Sequence, residues 1–185
     1  MVKDALTEGE NRMKGAIRAL EEDLAAIRTG RASPALVERL NVEYYGTPTP
    51  LMQLATISAP EPRLLTIRPF DPASIRDIER AILASDLGLT PSNDGKLIRL
   101  NIPPLTEERR HELVRIVRGR AEEGRVAVRN VRRDVLNDLR EFEREKLISE
   151  DDLHRAEKDL QELTDKYIEE IEAISERKEK EILEG

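Results

Sequence analysis

The chain contains no cysteine and no tryptophan, only 3% of its 185 residues are aromatic, and no apolar run in it approaches bilayer-spanning length. Without cysteine there can be no disulfide framework, thiol nucleophile or Cys-ligated zinc site. A membrane-crossing helix needs roughly 20 consecutive apolar residues, so none is expected. The stretch from Met1 to Gly15 is polar and acidic, lacking both the apolar centre of a secretory signal and the Arg-rich character of a transit peptide. A cytoplasmic protein is the expectation. Few aromatics combined with 37% charged residues is the composition of long, solvated helices with cores of Leu, Ile, Val and Ala.

Proline is missing from both ends. All ten prolines lie between Pro34 and Pro104, which separates a middle module of turns and short strands from proline-free helical flanks. Met13, Ile17, Leu20, Leu24 and Ile27 recur at four- and three-residue steps, predicting a helix over 2–28. Val114, Val117, Ala121, Gly124, Val128, Val131, Val135, Leu139 and Phe142 keep the same step over 106–146, with Thr106 placed to cap. Ser149 and the acids behind it start a third helix over 150–183, striped by Leu153, Ala156, Leu160, Leu163, Tyr167, Ile171 and Ile174. A helix of about 40 residues is about 60 Å long. The short link near 146–149 makes the second and third helices antiparallel, and the first must pack on both.

The expected organisation is therefore α+β: an elongated three-helix rod from 1–29 and 106–185, with a small β/α/β sandwich inserted at 30–105. Strands are predicted at 37–45, 51–57, 64–70 and 97–102. A helix capped by Asp71 and closed by Gly88 would bury Ile75, Ile78, Ile82 and Leu83. Two connections join module to rod, Thr29-Gly30-Arg31 and Ile102-Pro103-Pro104-Leu105, and together they read as a two-stranded hinge.

Sites for chemistry are scarce. His111 and His154 lie in the first turns of different helices with no partner at metal-ligand spacing, and the acids at 150–152 and 169–170 suit a helix start and a helix exterior. No phosphate-cradling GxxxxGK[ST] loop, GxGxxG, GxSxG or HExxH run is present. No catalytic residue, metal or cofactor is expected. Tyr44, Tyr45 and Phe70 could suggest a base-stacking platform, but the tyrosines sit beside a turn with few basic neighbours, so core or turn packing is expected.

Charge is segregated. Although the net charge is −7, residues 109–133 hold nine arginines against three acids, while 150–184 hold fourteen acids against six basic residues. A partner within a screening length of about 8 Å senses the patch more than the sum. At 100° per residue, Arg115, Arg118, Arg125, Arg129, Arg132, Arg133, Arg140 and Arg144 fall within an arc of roughly 120° beside the apolar stripe. Arginine rather than lysine favours forked contacts to phosphate and stacking on bases. The bland reading is a solvated face, or one paired with acids on the third helix. A coiled-coil protein binding unfolded polypeptide is one alternative, and an enzyme with an unrecognised site in the module is another.

Several runs resemble bacterial ribosome recycling factors: Thr29-Gly30-Arg31-Ala32-Ser33-Pro34-Ala35-Leu36, Tyr44-Tyr45-Gly46-Thr47-Pro48-Thr49-Pro50-Leu51, Ala84-Ser85-Asp86-Leu87-Gly88-Leu89, Pro103-Pro104-Leu105-Thr106-Glu107-Glu108-Arg109-Arg110 and Val126-Ala127-Val128-Arg129-Asn130-Val131-Arg132-Arg133-Asp134. The resemblance implies an L-shaped, non-enzymatic monomer with about the outline of a transfer RNA. Its rod would lie on ribosomal RNA of the large subunit near the peptidyl transferase centre. With elongation factor G and GTP it would split the post-termination ribosome, releasing messenger and transfer RNA. It also implies that Arg110, Arg129 and Arg132 contact ribosomal RNA, with Arg133 beside them; Arg118 and Arg125 of the same strip, and Arg28 and Arg31, are further candidates.

Overall fold

A computed structural model describes residues 1–184; Gly185, included in the expected rod, lies outside them. The chain forms two compact units, Met1–Ile27 with Arg110–Glu184, and Arg28–Arg109. Among the described residues, no helix is long and apolar enough to cross a membrane.

The first unit is a three-helix bundle of α1 (Val2–Ala25), α3 (Glu107–Arg144) and α4 (Glu150–Glu184), the first turn of α3 being counted with the other unit. Its stripes are buried as the spacing requires: Met13, Leu20, Val117, Val128, Leu139, Leu160 and Ile171 are each at most 2% exposed. Each such Leu or Ile contributes roughly 1.5–3 kcal/mol on leaving water. α1 stops at Ala25, short of the predicted end at 28. Thr106 Oγ1 accepts the Arg109 amide at 3.1 Å, fixing the start of α3. At its end Lys146 adopts φ 62, and the Lys146 and Leu147 amides return to the carbonyls of Glu143 and Phe142. This pattern ends a helix by reversing the chain, usually with glycine at the left-handed residue. Ser149 and Asp152 then cap α4 reciprocally: the Asp152 amide donates to Ser149 Oγ at 3.0 Å and the Ser149 amide to Asp152 Oδ2 at 3.2 Å. Those hydrogen bonds hold the Asp152 carboxyl below its ordinary range.

The second unit pairs a four-stranded sheet with a hairpin around one helix. The hairpin is β1 (Asn41–Tyr44) against β2 (Thr47–Pro50), and the sheet has the order β3-β4-β6-β5, all antiparallel, from β3 (Ala55–Glu61), β4 (Leu64–Pro69), β5 (Pro91–Asn93) and β6 (Ile98–Asn101). Two strands were not expected, β2 and β5. Both contain proline, which lacks an amide donor, and both are edge strands, where that donor is not needed. Conversely, 34–36, just before the strand predicted at 37–45, and 51–53, the first residues of the strand predicted at 51–57, form short 3₁₀ turns, the first capped by Ser33. α2 (Ile75–Ala84) follows a 3₁₀ turn in which Asp71 Oδ1 accepts the Ala73 amide at 3.0 Å. Ile75, Ile78 and Ile82 are buried with Val42, Leu65, Ile67, Ile98 and Leu100, but Leu83 is 60% exposed, a correction to the expected buried face. It follows Ile82 by 100°, and the stripe of a ten-residue helix is too narrow to reach it.

Two close approaches in the bundle generate predictions. A Cβ on Gly9 of α1 would stand 2.7 Å from Val135 Cγ2 of α3. Gly9→Ala should therefore destabilise by about 1–2 kcal/mol despite the helix propensity of alanine, and adding Val135→Ala should cost less than its effect alone, as chemical denaturation will show. The buried Tyr167 hydroxyl donates to Glu10 at 3.1 Å, and burial together with that carboxylate pushes its pKa up to about 12. A raised folded-state pKa gives stability that is complete below pH of about 10, the unfolded value, and is lost as pH rises towards 12. Tyr167→Phe should cost about 1 kcal/mol near neutrality and shrink the alkaline loss, measurable by melting temperature across that range.

Candidate nucleic-acid interface

Burial of the α3 stripe sets which arginines can meet a partner. On one flank Asp134 of α3 accepts from Arg12 of α1 at 2.9 Å. On the other, Arg118 pairs with Glu179 of α4 at 2.5 Å, and Arg125 pairs with Glu172 of α4 at 2.6 Å and with its own neighbour Glu122 at 2.8 Å. Burial alone would lower the Arg125 pKa, but its two carboxylates outweigh it and raise the value. Arg132 Nε donates to Gln161 of α4 at 2.9 Å, and Gln161 in turn donates to Asp165 at 2.8 Å.

The predicted strip is thus two rows rather than one. Arg118, Arg125 and Arg132 line the seam with α4, the first two neutralised by carboxylates. Arg129 and Arg133 turn outward: Arg129 is exposed and 3.9 Å from Glu122, and Arg133 donates to Asn130 at 3.1 Å, with no ion pair among the described residues. Arg115 and Arg140 are also exposed, and Arg144 pairs with Glu141 at 3.0 Å. Surface pairs of this kind are worth about 0–1 kcal/mol each, so a phosphate can displace them at small cost. Arg110 lies apart. It is half-buried and precedes the buried Val114 by one turn, which puts it on the apolar side of the helix.

Arg28 and Arg31 do not extend α1. Both belong to the second unit, where the exposed Arg28 donates to the Leu87 carbonyl at 2.7 Å. The expected hinge residues are also packed into that unit. Thr29, Gly30 and Ile102 are buried, Pro103 and Pro104 are exposed, and Leu105 is half-buried. Gly30 has φ 78, and a Cβ there would be 3.1 Å from Leu105 Cγ. The Ala32 amide donates to Pro62 at 2.7 Å and the Ile102 amide to Arg63 at 2.8 Å, tying both connections to the β3–β4 turn.

The aromatic residues correct an expectation. Tyr44 is half-buried and Tyr45, though 83% exposed, packs edge to face on it at 4.6 Å within the turn, whereas Phe70 is 67% exposed and is not core. Tyr45 and Gly46 are the two residues between the closing pair Tyr44 and Thr47, a turn that was not visible because β2 was not expected. Among the described residues no cluster of His, Cys, Asp or Glu could hold a metal ion.

The model of the ribosome recycling factor family matches residues 20–183. Ribosome-recycling factors of Halalkalibacterium halodurans and Roseiflexus castenholzii are 59% and 58% identical over 184 residues, covering the whole of both chains in each case. A solution structure of the ribosome recycling factor superposes with TM-score 0.79 at 47% identity, over 100% of this chain and 98% of that one. The T. thermophilus factor, in models with E. coli elongation factor G bound to the E. coli post-termination complex, superposes at 0.68 with 49% identity and 99% coverage of each. With the family model matched over most of its length, relatives nearly 60% identical from end to end, and the fold in common, this chain belongs to the ribosome recycling factor family.

Proposed function

We propose that the protein recycles ribosomes in the cytoplasm, acting with elongation factor G and GTP to split the post-termination complex into subunits and free messenger and transfer RNA. It does so as a binding protein, with no bond made or broken by its own residues. The observation that carries the mode of attachment is the outward row of α3, where Arg129 and Arg133 stand clear of the α4 carboxylates. In this reading they and Arg132 meet ribosomal RNA of the large subunit directly. Arg118 and Arg125 join by exchanging carboxylate for phosphate, and Arg110, Arg28 and Arg31 add contacts outside the strip. Phosphate contacts fix position with little base readout, which suits a folded RNA surface.

The first test is sedimentation of intact ribosomes with the protein, elongation factor G and GTP, where conversion to subunits is the expected result. Charge reversal of Arg129 and Arg133 to Glu should lower large-subunit affinity at least about tenfold and flatten its salt dependence by roughly 0.7–0.9 in log–log slope per lost phosphate contact. Arg118→Ala should flatten it less, because Glu179 already holds that guanidinium. Unchanged binding in the double variant would remove the RNA role of this face.

Thr29–Arg31 and Ile102–Leu105 act in the same reading as a pivot that lets applied force work on one unit against the other. Gly30→Ala places a side chain against Leu105 at a backbone angle that alanine resists. It should leave binding within about twofold, well under the tenfold of 1.4 kcal/mol, while slowing subunit release in the same sedimentation assay. Full release by that variant would end the pivot assignment.

A further inference from the structure

α3 carries a glycine that the bundle does not need. Of the four glycines inside the long helices, Gly9 lies where a Cβ would stand 2.7 Å from Val135, and Gly124 is buried, its added Cβ 3.4 Å from Ile171. Gly15 of α1 is half-buried beside its own neighbour Arg18, whose guanidinium would be 3.9 Å away. Gly119 is exposed, and a Cβ there would have nothing within 4 Å. Glycine in a helix interior is less stable than alanine, because it gives up more backbone freedom and packs nothing. Alanine would fit this chain and strengthen α3. The bare surface stands at a cost to folding, which marks it as room for another molecule.

Gly119 faces the same way as the outward arginines. At 100° per residue it lies about 40° from the line of Arg115 and Arg133. Arg115 comes one turn before it, exposed and without an ion pair among the described residues. Ile116, on the other side of the glycine, is 42% exposed. The two acids of the following turn are drawn off to opposite flanks, Glu122 towards Arg125 at 2.8 Å and Glu123 towards Arg120 at 3.2 Å. A bare turn of helix remains, with an apolar rim and a free guanidinium beside it.

A helical side chain covers the turn N-terminal to its own Cα, so glycine at 119 uncovers the main chain beside Arg115 and Ile116. A sugar–phosphate strand fits that surface. Its ribose carbons pack on the helix backbone and Ile116 while the adjacent phosphate reaches Arg115, and sugar and phosphate contacts together fix register. A protein side chain has less claim, since the nearest unpaired groups are guanidiniums, which select an anion. We propose that Gly119 is the point of closest approach between α3 and RNA, where a ribose sits directly on the helix and sets how far the neighbouring arginines must reach. This rests on the RNA reading of α3 above and adds to it a positioning residue that carries no charge.

The test measures large-subunit affinity, its salt dependence and the melting temperature for the full chain carrying Gly119→Ala, Gly119→Lys or, as a control, Gly15→Ala. Gly119→Ala should raise the melting temperature, since alanine is the better helix former. Both changes at 119 should weaken binding at least about fivefold, the scale of overfilling a packed contact. The lysine variant is the sharper of the two. It adds a cation to a face that meets a polyanion, so binding governed by charge alone would strengthen. Gly119→Ala should keep the wild-type salt slope, because the arginines still reach phosphate, and Gly15→Ala should raise the melting temperature with wild-type affinity. Ile116→p-benzoylphenylalanine, irradiated on the isolated large subunit, should give a nuclease-sensitive product. Wild-type affinity, a flattened slope or a lowered melting temperature in Gly119→Ala would overturn the proposal. So would tighter binding by Gly119→Lys, an equal loss in Gly15→Ala, or a crosslink to protein or to nothing. If the Arg129 and Arg133 variant binds poorly while the Gly119 variants bind normally, the RNA contact stands and only the closest approach falls. If that variant binds normally, both fall.

Discussion

The burial of one stripe on α3 governs everything else in the bundle. Val117, Val128 and Leu139 are sealed from water between α1 and α4, and a helix so held cannot rotate about its axis. Removing apolar surface at roughly 25 cal/mol per Å² outweighs the pairing of any exposed ion pair. The packing therefore chooses the arginines, not the reverse: 118, 125 and 132 must lie at the seam with α4, and 129 and 133 must lie beyond it. A change that turned α3 by one residue would bring charge into the core and hide the outward row.

The seam itself settles a conflict between solubility and binding. A strip of unpaired guanidinium groups would repel itself and attract any polyanion. Partial neutralisation by α4, with Glu172 and Glu179 on Arg125 and Arg118, lowers that field while leaving the outer row available. The overall charge of −7 and a nucleic-acid face are thus compatible, since screening confines each patch to its own neighbourhood.

The bundle was legible because its signal is long and periodic. Three helices of 24, 38 and 35 residues repeat one stripe many times over, and single exceptions do not obscure it. The division of the arginines was also written in the sequence. Residues 118, 125 and 132 run seven apart, and so do the acids 179, 172 and 165 in the opposite direction; antiparallel helices bring such series together. Arg132 departs from the series only because Gln161 intervenes and takes Asp165 for itself. Where signals were short, reading failed. β2 and β5 have three or four residues with proline among them, too few to establish an alternating pattern, although each pairs with a strand only a few residues away. Arg28 falls inside the helix expected over 2–28, but the Leu87 carbonyl that holds it is 59 residues away.

The reversal between α3 and α4, with Lys146 in a left-handed conformation and Ser149 already capping, takes only the five residues 145–149 between two long helices. Insertion or deletion of a single codon there would shift every rung of the ladder formed with α4 and swing its buried side about 100° away. The Asn93–Leu97 corner, where Gly95 has open space around it, can absorb the same change locally. Length variation among descendants of this chain should therefore collect in the small unit and spare the bend of the large one, making that bend a fixed point from which homologous positions can be counted.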